Sequence, residues 1–166
     1  MAEKFHLPID DMPDLATAFG RFLVHWSFLE VMLLQLTAYI LSIDVHKAQF
    51  VFWEFSSIRR KIVLLRRINH HCSPDVPLKE KETIDTYLET ALKLNSRRND
   101  IIHSFWVVAD DTLSMVKTAL PSKHNKLSMI PIKTTPQDVQ NLVDEIAELS
   151  LSLFHFLLSE KPAPTR

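Results

Sequence analysis

Apolar side chains recur in an unbroken four-three rhythm near the start of the chain: Leu15, Phe19, Phe22, Trp26, Leu29, Leu33, Leu36 and Ile40. That spacing puts them on one helical face and predicts a first helix beginning after Pro13, with Asp14 as its cap. A second line, Val24, Phe28, Val31, Met32 and Tyr39, makes the helix apolar most of the way round. Such a helix is either central in a bundle or also covered by a partner chain. The next periodic stretch predicts a helix from Val45 to His70, with Phe55, Ile58, Ile62 and Leu65 inward. Its opposite face carries Arg59, Arg60, Lys61, Arg66 and Arg67. Prolines mark Cys72 to Pro77 as a loop.

A third helix is expected from Leu78 to His103, with Ile84, Leu88, Ala91, Asn95, Arg98 and Ile102 inward. Its inward line turns polar halfway along. After His103 the period shortens to two. Phe105 to Val108 and Leu113 to Ala119, on either side of Asp110-Asp111, read as a hairpin, and Leu127 to Ile132 as a third strand interrupted by Pro131. Thr135-Pro136-Gln137-Asp138 is a helix-start signal. A last helix follows it with Val139, Leu142, Ile146, Leu149, Leu153 and Phe156 inward. The expected fold is therefore all-α: a four-helix bundle with a small β-hairpin or meander inserted between the third and fourth helices. Residues 1–166 form one domain in this reading, with the bundle at 14–103 and 135–159, the insertion at 105–133 and a flexible tail at 160–166.

Composition narrows the chemistry. With one glycine, Gly20, where average usage would give roughly 12, the chain has no Gly-rich phosphate loop. One cysteine, Cys72, cannot form an internal disulfide or a multi-cysteine zinc site, which suits an intracellular compartment. The 19 basic and 20 acidic residues nearly balance, so any nucleic-acid contact has to come from a local patch. The N-terminal residues lack the charged-then-apolar order of a signal peptide, and a cytoplasmic location is expected. The segment 22–43 has Glu30 as its only formal charge and is long enough to span a bilayer. Glu30, His25, Ser27, Gln35 and Thr37 within it favour a helix buried in a bundle over a membrane span.

Arg98 and Glu30 pose one problem with opposite signs, because a charge on an inward line must be paired or face a cavity. Facing each other across the bundle solves both, as a structural ion pair or as part of a site. The run Arg98-Asn99-Asp100-Ile101-Ile102-His103 resembles the signature of the HEPN superfamily: an arginine, a polar residue, a few mostly apolar residues, then a histidine. The motif closes the third expected helix, and the first helix carries an acid in its middle, Glu30, as in that family. The resemblance covers about residues 14–159, although its sharp part is six residues long. Arg66 and His71 repeat the spacing. That copy has Arg67 at the polar position, non-apolar Asn69 and His70 inside, and ends the second helix.

Residues five apart on a helix lie about 140° apart, so Arg98 and His103 diverge, whereas Asn99 and His103 share a face. Two copies meeting about a two-fold axis would bring two arginines and two histidines to one cleft. The resemblance implies the same: a homodimeric, metal-independent endoribonuclease with a composite site, of the kind found among toxins and defence or stress effectors. Arg98, Asn99 and His103 would be catalytic and Glu30 and Asp100 supporting, with Arg97, Arg59, Arg60, Arg66 and Arg67 on RNA phosphates and no cofactor. The partners expected are RNA, a second copy and a neutralising protein. The alternatives are a non-catalytic HEPN-like module binding a nucleotide, an RNA or a partner protein, and a plain helical interaction domain. His70-His71-Cys72 is a poor metal site, because consecutive residues rarely aim three donors at one ion. Trp26 and Trp53 are expected in the core, Trp106 either against the hairpin or stacking a base, and Cys72 is not a nucleophile.

Overall fold

The computed structural model describes residues 12–71, 76–109, 112–119 and 128–159. Five helices and three strands follow in chain order: α1 (Pro13–Leu41), α2 (Val45–Trp53), α3 (Ile58–His71), α4 (Leu78–Ile102), β1 (Phe105–Ala109), β2 (Thr112–Ala119), β3 (Ser128–Lys133) and α5 (Pro136–Ser159). The fold is mostly helical with one small antiparallel sheet in the order β1-β2-β3. The expected tail at 160–166, the Asp110-Asp111 turn and Cys72 lie outside the described residues.

The second helix expected over Val45–His70 is two helices, so the described residues hold five helices where four were expected. The break falls at Glu54 to Ser57. Ser57 presents its carbonyl to the Lys61 amide at 3.1 Å, so α3 starts afresh from a serine, a residue that favours helix ends over helix interiors. The first helix also starts slightly earlier than expected. The Met12 carbonyl accepts from the Ala16 amide at 3.0 Å, which puts Pro13 at the first helical position and Asp14 inside the first turn. At its other end Ser42 adopts φ 51°, the Ile43 amide reaches the Ala38 carbonyl and the Ser42 amide reaches that of Tyr39, each at 3.1 Å. This is a Schellman close with serine in the position glycine usually takes.

The start of α5 is a capping box. The Thr135 amide and hydroxyl donate to Asp138 Oδ2 at 2.8 and 2.7 Å, and the Asp138 amide donates back to Thr135 Oγ1 at 3.2 Å. These bonds hold the Asp138 carboxyl below its ordinary value.

Two compact units divide the residues. One comprises Met1–Val24 and Ser96–Val143, the other His25–Asn95 and Asp144–Arg166. In the first, Leu15, Phe22, Leu142 and Val143 are buried, together with Leu113 and Met115 on alternate positions of β2. Pro131 sits opposite Val116 in β3, an edge strand, where a residue without an N–H is tolerated. In the second unit Leu29, Leu33, Leu36, Ile40, Ile62, Leu65, Ile84, Leu88, Ile146 and Leu153 are fully buried. Each such side chain stabilises the fold by about 1.5–3 kcal/mol. Phe156 joins Tyr39 and Tyr87 there in edge-to-face contacts, with centroids 5.6 and 5.8 Å apart.

The second apolar line of α1 is only partly covered: Met32 is buried, while Val24, Phe28 and Val31 are exposed. By length and composition, α1 is the one described helix apolar enough to cross a membrane, and its inward line is buried in the fold apart from half-buried Phe19.

Candidate functional site

The last turn of α4 carries the Arg98–His103 run. Arg98 is half-buried on the continuation of the line Ile84, Leu88, Ala91 and Asn95, and its Nη1 donates to the side-chain oxygen of exposed Asn99 at 3.1 Å. The Asn99 carbonyl accepts from the His103 amide at 3.0 Å. His103 thus stands one residue beyond the helix, its backbone still satisfied and its imidazole exposed. Arg97 is exposed and Asp100 half-buried.

Two further contacts fix this helix end. Ser104 donates its hydroxyl to the Asp100 carbonyl, closing the turn that leads into β1. Trp106 donates from Nε1 to the Ile101 carbonyl at 3.2 Å and meets Phe19 edge-on, with centroids 5.2 Å apart. Trp106 is therefore an anchor that ties β1 and the start of α1 to the base of the motif. The acid expected to serve Arg98, Glu30, accepts from Trp26 Nε1 at 2.8 Å and lies close enough to Lys61 to favour its charged form.

The basic residues on α3 separate into three kinds. Arg59, Arg60 and Arg67 are exposed. Arg66 is half-buried, with Nε 3.9 Å from Asp85 Oδ1. Lys61, expected on the solvated face, is buried instead. Its ammonium lies 4.3 Å from the Phe52 ring centre and 3.8 Å from that of Trp53, because the break after α2 folds those rings back over the first turn of α3. Burial pulls the Lys61 pKa below its ordinary value, and the Glu30 charge partly offsets this. Trp53, expected in the core, is 54% exposed.

Around the second copy of the spacing, His70 Nε2 lies 2.5 Å from Asp85 Oδ2. Buried Asn69 donates to the Lys81 carbonyl at 3.0 Å and to Asp85 Oδ1 at 3.3 Å. Asp85 was not singled out in the sequence. Its signal is only that it falls one position after the inward Ile84, on a helix whose neighbour is basic. His70 and His71 have ring centres 6.3 Å apart, and among the described residues no group of three or more His, Cys, Asp or Glu could hold a metal ion.

No family model, curated protein or solved structure matches this chain. The likeness to HEPN proteins accordingly rests on the residues themselves.

Proposed function

We propose that the protein is a metal-independent endoribonuclease of HEPN type, a four-helix HEPN-like bundle in which α2 and α3 together take the place of one helix. The observation that carries the reading is the end of α4, where exposed His103 and exposed Asn99 share a face and Asn99 orients the Arg98 guanidinium. His103 accepts the proton of a ribose 2′-hydroxyl as that oxygen attacks the adjacent phosphorus. The P–O5′ bond breaks, the 5′ oxygen takes up a proton, and a 2′,3′-cyclic phosphate remains. Arg98 stabilises the negative charge that builds on the phosphoryl oxygens, a task suited to a guanidinium.

One helix end presents these groups in diverging directions, so the reading includes a homodimer in the cytoplasm, with the site built from two copies. Val24, Phe28 and Val31 on α1 supply exposed apolar surface for that contact. A toxin or a defence or stress effector is the biological role such a nuclease fits, with a neutralising protein as partner.

The test is cleavage of RNA by the purified chain in EDTA. Cyclic-phosphate ends, intact DNA and loss of cleavage in His103→Ala are the expected result. A chain that cuts no RNA, yet binds a nucleotide or a protein through Arg98 and His103, would make it a non-catalytic module.

A further inference from the structure

Two large aromatic side chains stand in solvent on α2. Phe50 is 81% exposed and Trp53 54%. Three residues apart on a helix, they are neighbours on one face. The indole of Trp53 is held from one side by the Lys61 ammonium at 3.8 Å and edge-on by Phe52, with centroids 5.2 Å apart. With 54% of its surface in solvent the ring has room to stack, and these two contacts restrict its orientation.

The surroundings are basic. Between Val45 and His71 the chain has six Lys or Arg residues and one acid, Glu54, although its overall net charge is −1. Arg59 and Arg60, both exposed, directly precede Lys61, which places their backbone in the same turn of α3 as the cation under the indole. On α2 itself His46, Lys47 and Gln49 are exposed beside Phe50. Asp44 caps the helix by accepting from the His46 amide at 2.8 Å. An apolar protein-docking patch would continue into aliphatic neighbours. This one is interrupted by cations and amides.

We infer that Phe50 and Trp53 form a stacking platform for the bases of single-stranded RNA, with Arg59, Arg60 and Lys47 taking the adjoining phosphates. The RNA rests on the function proposed above; the platform itself rests on α2 and α3. Aromatic stacking suits any base because every base has a π face, and flanking cations follow the backbone. A ring already locked by Lys61 loses little freedom on binding, which favours affinity.

The experiment measures fluorescence anisotropy of a short, unstructured, labelled oligoribonucleotide with the full-length His103→Ala chain, so that binding is read without cleavage. Phe50→Ala and Trp53→Ala are each expected to weaken binding about 5- to 150-fold, and Trp53→Phe to retain most of it. Arg59→Ala and Arg60→Ala should each lower the slope of log affinity against log salt by roughly one. Duplex RNA, whose bases are already stacked, should bind without sensitivity to Phe50→Ala. Circular dichroism checks that each variant is folded. Unchanged affinity in both alanine variants overturns the inference. So does a fall in oligomer mass by light scattering with RNA affinity intact, which would assign the surface to protein contact. Neither result depends on whether the wild-type chain cleaves RNA, so failure of the platform and failure of the nuclease reading are told apart.

Discussion

The chain carries the Arg-x4-His spacing twice, at Arg98–His103 and at Arg66–His71, and the two copies have different surroundings. At the end of α4 the residue after the arginine is an exposed amide that accepts from the guanidinium. The histidine projects into solvent beyond the last helical turn. At the end of α3 an acid from α4 intervenes. Asp85 draws His70 to 2.5 Å, approaches Arg66 at 3.9 Å and is itself fixed by buried Asn69. Asp85 thus reaches the arginine of the second copy and the histidine next to its motif position, while His71 itself is exposed like His103. Spacing alone does not distinguish them; the residue after the arginine does, an amide that accepts from Arg98 in one copy and a second arginine, Arg67, in the other.

The largest effect that would break this contrast is on cleavage. His103→Ala should lower the rate of RNA cleavage about 10²–10⁴-fold, the usual worth of a proton-transfer group. His71→Ala should leave it unchanged in the same assay, and the reverse pattern would exchange the roles of the two copies. Stability separates the two asparagines. Asn69→Ala should cost about 1–3 kcal/mol in urea denaturation, since it removes the hydrogen bonds that this buried amide donates to the Lys81 carbonyl and to Asp85. Asn99→Ala, exposed, should stay within about 0.5 kcal/mol while weakening cleavage.

Asp85→Asn should have a smaller effect, about 0.5–1 kcal/mol, because His70 and Arg66 are both substantially solvated. The smallest effect lies one turn upstream, where rings rather than an acid receive the cation. The Lys61 pKa is lowered in the folded chain from its ordinary value of 10.5, so above the lowered value the unfolded chain binds more protons. Stability should therefore rise with pH through the window between the lowered value and 10.5. Lys61→Met should flatten that rise in thermal melts recorded against pH.

Long-range burial was legible wherever one helix kept one period. The lines through α1 and α5 are buried as the spacing predicts, apart from half-buried Phe19, and the capping box at Thr135 is in place, because core contact and capping both leave local marks. The break between α2 and α3 left none. Phe55 and Ile58 continue the apolar rhythm across it, and two serines in succession are a weak stop. Everything that depends on the break was therefore misread, including the burial of Lys61 and the exposure of Trp53. The sequence put Arg98, Asn99 and His103 at a helix end correctly, since the change of period after His103 announces the strand. The Asp85 network depends on which helices become neighbours, and that is written in no single stretch of sequence.

The close of α1 has a bearing on how much stability this chain leaves unused. Ser42 holds a left-handed backbone conformation that costs an L-residue roughly 1–2 kcal/mol, while the only glycine, Gly20, stands in mid-helix. A methyl group added at Gly20 would meet nothing within 4 Å. The two residue types are, in effect, in each other's preferred places. A protein engineer could move the backbone freedom to where the turn needs it. Gly20→Ala and Ser42→Gly together would make α1 a more rigid rod with a relaxed end, without touching the motif, the aromatic platform or any buried side chain.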